Sequence, residues 1–186
     1  MPLKKLSQIP CDIEETAPIC VIGAGVAGLL LARKLAAGGR KVIVVESGSA
    51  TLEAAAQELN EIDNPSGFYT RALTGRYRAL GGSSVKWGGR MIPISDHELA
   101  ERDYLSLPGW PVKRHDLDTY LPEIEALFGI GPSSYEADLL DTLDRRGSFP
   151  RDDANLTSRF AKCPSFRRSN VATVLRNEIR HLAPLH

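Results

Sequence analysis

An excess of charge of either sign is missing from this chain. Lys and Arg together number 23, and so do Asp and Glu. Such a balance gives no bulk attraction for nucleic acid or an anionic membrane, so neither is expected as a partner. Long apolar runs are missing too. No stretch approaches the ~18 residues of a membrane span, and the N-terminal "MPLKKLSQIPCDIEETAP" has no apolar core of the kind a signal peptide carries. Cysteine is scarce: Cys11, Cys20 and Cys163 are odd in number and widely spaced, with no CxxC pair and no His/Cys cluster at zinc spacing. This suits a reducing, cytoplasmic setting, and no metal site is expected. Cys20 lies in an apolar run and reads as a small buried hydrophobe. The basic tract "RFAKCPSFRR" (159–168) reads as a solvated loop.

Strand-forming segments are also few. Only Ile19–Ile22 and Val42–Val45 are clear, and both are short runs of continuous apolarity, as in strands buried on both faces of a parallel sheet. Between them, residues 26–37 are rich in Ala and Leu and read as a helix ended by Gly38-Gly39. Strand, helix and strand within about 30 residues make a βαβ unit. Further on, residues 51–62 have helix-forming composition, and "NPSG" at 64–67 is a turn. "MIPISDHEL" offers at most one extended run. Leu117, Tyr120, Leu121, Ile124, Leu127 and Phe128 recur at helical spacing, with Asp116 as cap, Pro122 splitting the helix and Gly129 ending it. Residues 131–168 are polar, with scattered Pro and Gly, and residues 169–182 read as a helix capped by Ser169 or Asn170. Trp110 is expected in the core.

Glycine, by contrast, is placed with purpose. "GAGVAG" sets Gly23, Gly25 and Gly28 in a GxGxxG pattern that leaves the first strand and opens the helix. Glu46 closes the second strand, and that context is the fingerprint of a Rossmann-like dinucleotide site. Gly23 allows the turn, Gly25 lets a pyrophosphate approach the helix N-terminus across Ala24, Val26 and Ala27, and Gly28 lets helix and strand pack closely. Glu46, beside Ser47, can accept hydrogen bonds from a ribose and repels a 2′-phosphate. The pattern does not choose between NAD and FAD. A second cluster, "RYRALGGSSVKWGGR" (76–90), bears on that choice. A flavin crosses more backbone than NAD does. Gly81 and Gly82 bring bare amides to it, Ser83 and Ser84 bring hydroxyls, and Gly88-Gly89 lets a chain pass against a ring beside Trp87.

"VIGAGVAG", "VVESG" and "RALGGSSVKWGGR", in this order and spacing, resemble the FAD segments of the glucose–methanol–choline oxidoreductases. "GWPVKRHDLDTYLPEIEALFGIG" is similar to a segment of the branch that oxidises pyranoses and gluconate. The likeness runs from about residue 18 onward and covers about the first third of a typical member. It implies FAD and oxidation of an alcohol or sugar by hydride transfer to the flavin. It also implies that Gly23, Gly25, Gly28 and Glu46 hold the ADP half, that Gly81, Gly82, Ser83 and Ser84 lie along the pyrophosphate and ribityl chain, and that Trp87 and Gly88 approach the ring. Some relatives attach the flavin through a histidine just before this tryptophan. Lys86 stands there instead, so non-covalent FAD is expected, with Lys86 exposed. His97, His115, His181 and His186 do not match the family's base and read as surface or capping residues, so no catalytic residue is assigned.

The expected fold is therefore α/β: a Rossmann-like FAD-binding βαβ unit with an irregular and helical extension, its sheet too small to stand complete. Residues 1–17 are a lead-in, 18–95 belong to the FAD-binding domain, and 96–186 begin a helical, substrate-side portion. A sheet of two strands implies further strands from a longer or complementary chain. Two other classes stay open: an NAD-dependent dehydrogenase, which leaves residues 78–90 unexplained, and a non-catalytic nucleotide-binding chain.

Overall fold

The computed structural model describes residues 4–6, 12, 14–63, 67, 74–145, 147 and 155–181. Residues 64–66 of the expected turn, and His186, lie outside them. In chain order the elements are β1 (Ile19–Ile22), α1 (Val26–Ala37), β2 (Val42–Val45), α2 (Ala54–Glu58), α3 (Asp96–Leu99), α4 (Arg114–Asp118), α5 (Leu121–Phe128), α6 (Leu139–Thr142), α7 (Phe166–Ser169), α8 (Val171–Val174) and α9 (Arg176–His181). They fall into two compact units. One holds the described residues up to Gly88 and those from Phe166 onward, and the other holds Gly89–Ser165.

The first unit is a mixed α/β body. β1 and β2 pair in parallel, with Ile19 opposite Val42 and Ile22 opposite Val45. α1 forms where Ala and Leu dominate. It ends as Gly38 N–H reaches Lys34 O and Gly39 turns left-handed at φ +76. Val21 faces α1 and is buried, and Leu29, Ala32, Val171 and Leu175 are buried in the same unit. Asn170 caps α8 by accepting from Ala172 N–H at 2.9 Å. The single helix expected over 169–182 instead breaks at Leu175, which turns its side chain into the core.

Three expectations about burial are corrected here. Among the described residues the Cys20 and Ile22 face of β1 is left open, because side chains alternate along a strand and α1 packs on the side of Val21. Ile22 is consequently 87% exposed. Cys20 is exposed for the same reason, not buried. Trp110 is also outside the core, at 62% exposed, because the 108–111 loop runs over the surface of the second unit.

That second unit packs Leu99, Phe128, Tyr135 and Leu140. α3 occupies part of the segment read as extended. Ser95 accepts from Glu98 N–H while Glu98 accepts from Ser95 N–H, a reciprocal capping box. Pro122 does divide α4 from α5, and Gly129 ends α5 at φ +68. Asp116 is not the cap. It sits within α4 and accepts from Lys113 N–H at 2.9 Å, because the chain turns helical three residues earlier than the apolar spacing indicates. The basic tract is not simply solvated. Arg159 bonds Pro93 O at 2.6 Å and pairs with Glu136. Lys162 is half-buried and pairs with the buried Glu125 at 2.5 Å, with the Tyr135 hydroxyl donating to the same carboxylate oxygen at 2.9 Å. Burial, then that bond to Glu125, pushes the Tyr135 phenol up to about 12. Among the described residues no helix is long and apolar enough to cross a membrane.

Candidate functional site

The candidate site lies within the first unit, where the chain leaves β1. Gly23 takes φ +96, and its N–H donates to Val45 O at 2.7 Å, which ties the turn to the end of β2. The first bond inside α1 is Leu29 N–H to Gly25 O at 2.9 Å. The amides of Val26, Ala27 and Gly28 therefore precede it and have no partner within the helix. No side chain caps Gly25, and the first turn holds no acidic residue. The positive end of α1 is thus left without a carboxylate of its own.

The three glycines of the motif answer to three different constraints. Gly23 needs its left-handed backbone. A Cβ on Gly28 would lie 1.9 Å from Gly23 O and 3.4 Å from Val21 Cγ1, so helix and strand can meet here only without one. Gly25 is extended, at φ −77 and ψ −172, and a Cβ on it would meet only Gly82 Cα, at 3.9 Å. Packing among the described residues does not require glycine at position 25.

Glu46 lies beside this loop. One carboxylate oxygen accepts from Ala24 N–H at 2.7 Å, and the other accepts from Gly48 N–H at 2.9 Å and from the Ser47 hydroxyl at 3.4 Å. The carboxylate is thereby held by two backbone amides, one from the loop after β1 and one from the turn after β2. It stays partly exposed, and carboxylate oxygens have further acceptor capacity. Ser47 is exposed.

The second glycine cluster comes directly onto the first. Gly81 N–H donates to Ala24 O at 2.8 Å, and a Cβ on Gly82 would lie 2.8 Å from Gly25 Cα. Gly81 and Gly82 both have positive φ, at 101 and 55, and a Cβ on Gly81 would lie 2.5 Å from Asn170 Oδ1. These two glycines thus have reasons inside the chain: the second loop crosses the first, and the α8 cap presses on it. Ser84 is buried in the 3₁₀ turn Gly82–Val85. Its hydroxyl donates to Gly81 O at 2.6 Å and accepts from Val171 N–H at 3.1 Å, so it works within the protein. Ser83 is exposed and donates to Gly75 O at 2.9 Å. The Trp87 indole N–H donates to Ser169 O at 2.7 Å, which fixes the ring against the end of α7. Lys86 is exposed. Gly88 is exposed as well, and a Cβ there would meet nothing within 4 Å.

Several contributors escaped the sequence reading. A Cβ on Gly48 would lie 2.2 Å from the Arg78 carbonyl, so the acidic turn and the 76–80 segment cross as closely as the two glycine loops do. Arg78, Gln57 and Asn60 secure that crossing. Their partners are 16 or more residues away, so no local pattern marks them. His97 and His115 are exposed, and His115 pairs with Asp116 at 3.1 Å. Among the described residues no group of three or more His, Cys, Asp or Glu side chains is placed to hold a metal ion. No protein-family model matches the chain, and comparisons with curated proteins and with solved structures returned no match.

Proposed function

We propose that this chain binds FAD non-covalently in a Rossmann-like site and serves the oxidation of a CH–OH group in an alcohol or sugar. The observation that carries the dinucleotide reading is the opening of α1. Its first-turn amides and dipole favour an anion, Gly25 is bare where internal packing does not ask for it, and Glu46 stands one hydrogen bond away through Ala24. In this assignment the amides of Val26, Ala27 and Gly28 bind the pyrophosphate, and Glu46 accepts from the adenosine ribose hydroxyls. Gly88 lets the ring side of the cofactor lie close to backbone, next to an indole that Ser169 holds in place. When bound, the flavin supplies the hydride acceptor. The part of the described residues is to bind and orient it. The choice of CH–OH substrate rests on the likeness of the three glycine-bearing segments to the glucose–methanol–choline oxidoreductases.

A second reading is an NAD-dependent enzyme on the same βαβ unit. It gains from the finding that Gly81 and Gly82 have packing reasons of their own, which weakens the need for a flavin to explain them. Gly88 and the anchored Trp87 favour FAD. Calorimetry of the purified chain with ADP, FAD, NAD and NADP separates the readings. FAD and ADP should bind, with NAD weaker and NADP excluded by Glu46. Binding of NAD in preference to FAD overturns the flavin assignment, and failure of ADP to bind overturns the site.

A further inference from the structure

Arg78 stands behind the candidate site and uses both its backbone and its side chain as a fastener. Its N–H donates to Gln57 Oε1 at 3.2 Å, and its carbonyl accepts from Gln57 Nε2 at 2.8 Å, so one side-chain amide grips both polar groups of the residue. The guanidinium then reaches three acceptors. Nε donates to Asn60 Oδ1 at 2.8 Å, Nη1 to the Ser47 hydroxyl at 3.0 Å and Nη2 to Leu59 O at 3.0 Å. On the far side of the crossing, Leu80 N–H donates to Ser49 O at 2.9 Å, and Gly48 passes against the Arg78 carbonyl without a Cβ. The turn from Glu46 to Ser49 is therefore held from α2 through Arg78, and that turn carries the Glu46 carboxylate to Ala24 N–H.

We infer that Arg78 is a positioning residue for the adenosine half of the site. It fixes the acidic turn so that the Glu46 carboxylate stands in place before any ligand arrives. Held in advance, the acceptor costs a ligand less ordering on binding. Lysine cannot substitute fully, because its single ammonium lacks the planar fork that spans three fixed acceptors. The ligand named here rests on the dinucleotide reading, whereas the geometry of the fastener does not.

Amide hydrogen exchange in the ligand-free chain, paired with ADP calorimetry, tests the two separately. In Arg78→Ala, the Ala24 and Gly48 amides, both bonded to Glu46, should exchange at least about tenfold faster, while Leu29 in α1 keeps its protection. ADP affinity should fall about tenfold, the loss expected for one charge-assisted contact. Ethylguanidinium in solution should restore part of both, and Arg78→Lys should fall between parent and Ala. Unchanged exchange at Ala24 and Gly48 in a folded Arg78→Ala chain overturns the proposal. If that variant loses protection everywhere, Asn60→Ala decides: it removes the acceptor of Nε, together with a bond to Arg76 O, without touching Glu46, and it must speed Gly48 exchange with Leu29 still protected, or the proposal fails. A parent chain that binds no ADP removes the dinucleotide reading, and the exchange rates still decide the positioning role.

Discussion

The glycines of the first loop separate packing from ligand approach, and replacing Gly28 and Gly25 one at a time tests that separation. A Cβ on Gly28 would lie 1.9 Å from Gly23 O, and the neighbour is rigid backbone held by Gly23 N–H to Val45 O. Alanine in a helix is favoured over glycine by at most about 1 kcal/mol, and less in a first turn. Overpacking a tight contact costs about 1–3 kcal/mol, and a clash this deep against a carbonyl belongs at the upper end or beyond. The balance is a loss of about 2 kcal/mol or more. For a chain of this length, at roughly 2–4 °C per kcal/mol, the melting midpoint should fall by about 4–8 °C in Gly28→Ala. Gly25→Ala should behave in the opposite way. Its Cβ has only Gly82 Cα at 3.9 Å, an ordinary contact, and its backbone is extended, so the melt should stay within about 1 °C of the parent. What it should lose is the proposed ligand, because the methyl group would stand where that proposal brings the pyrophosphate. Differential scanning calorimetry without ligand and titration with ADP give both readouts. Equal melting of Gly28→Ala and parent would show that the strand–helix contact is looser than described. Full ADP affinity in Gly25→Ala would remove the reason offered for that glycine.

Glu46→Arg replaces the acceptor of two backbone amides by a cation. At about 1.5–3 kcal/mol for one charge-assisted hydrogen bond, ADP affinity should drop roughly tenfold or more, and parent-like affinity by calorimetry counts against the assignment of Glu46. The flavin proposed for this chain should stay in the supernatant after acid precipitation, since Lys86 stands where some glucose–methanol–choline oxidoreductases carry the attaching histidine; colour in the pellet means a covalent bond. Tyr135, buried and donating to Glu125, should ionise late, with a midpoint near 12 in absorbance at 295 nm. Because its folded pKa is raised, its contribution to stability is present below the usual value near 10 and is lost as pH rises towards 12; Tyr135→Phe should abolish that late phase, and a late phase that survives refutes the assignment. The open face of β1 and β2, with Ile22 87% exposed, should make the isolated chain self-associate. Ile22→Lys should shift it towards monomer in light scattering, and a parent that is monomeric at high concentration excludes the effect.

What could be read along the chain was whatever neighbours in sequence decide. β1, α1 and β2 follow from short apolar runs, a helix-forming stretch and glycines at the joints. The break at Pro122, the end at Gly129 and the cap at Asn170 are likewise local chemistry. α3 was legible too, since Ser95 and Glu98 have capping-box spacing, but the apolar run "MIPI" before them pointed to a short extended segment. What could not be read depends on which distant segments meet. Cys20 and Ile22 look buried in a one-dimensional pattern that cannot tell one covered face from two. Lys162 looks like a surface charge until Glu125, 37 residues earlier, folds against it.

The site shows the same division most sharply. "GGSS" at 81–84 suggests that something large must approach the backbone. For Gly81 and Gly82 that something is the protein itself, because Ala24, Gly25 and Asn170 occupy the space a side chain would take. A glycine pattern therefore reports close approach without naming what approaches, and only the partner's distance separates the cases. Gly28, Gly48, Gly81 and Gly82 are accounted for by the chain. Gly25 and Gly88 meet almost nothing among the described residues, and they do not need a left-handed backbone. Internal packing leaves these two unexplained, as it leaves Gly131, and the proposed dinucleotide supplies a reason at Gly25 and Gly88 alone, where an added methyl group should be felt by the ligand and not by the fold.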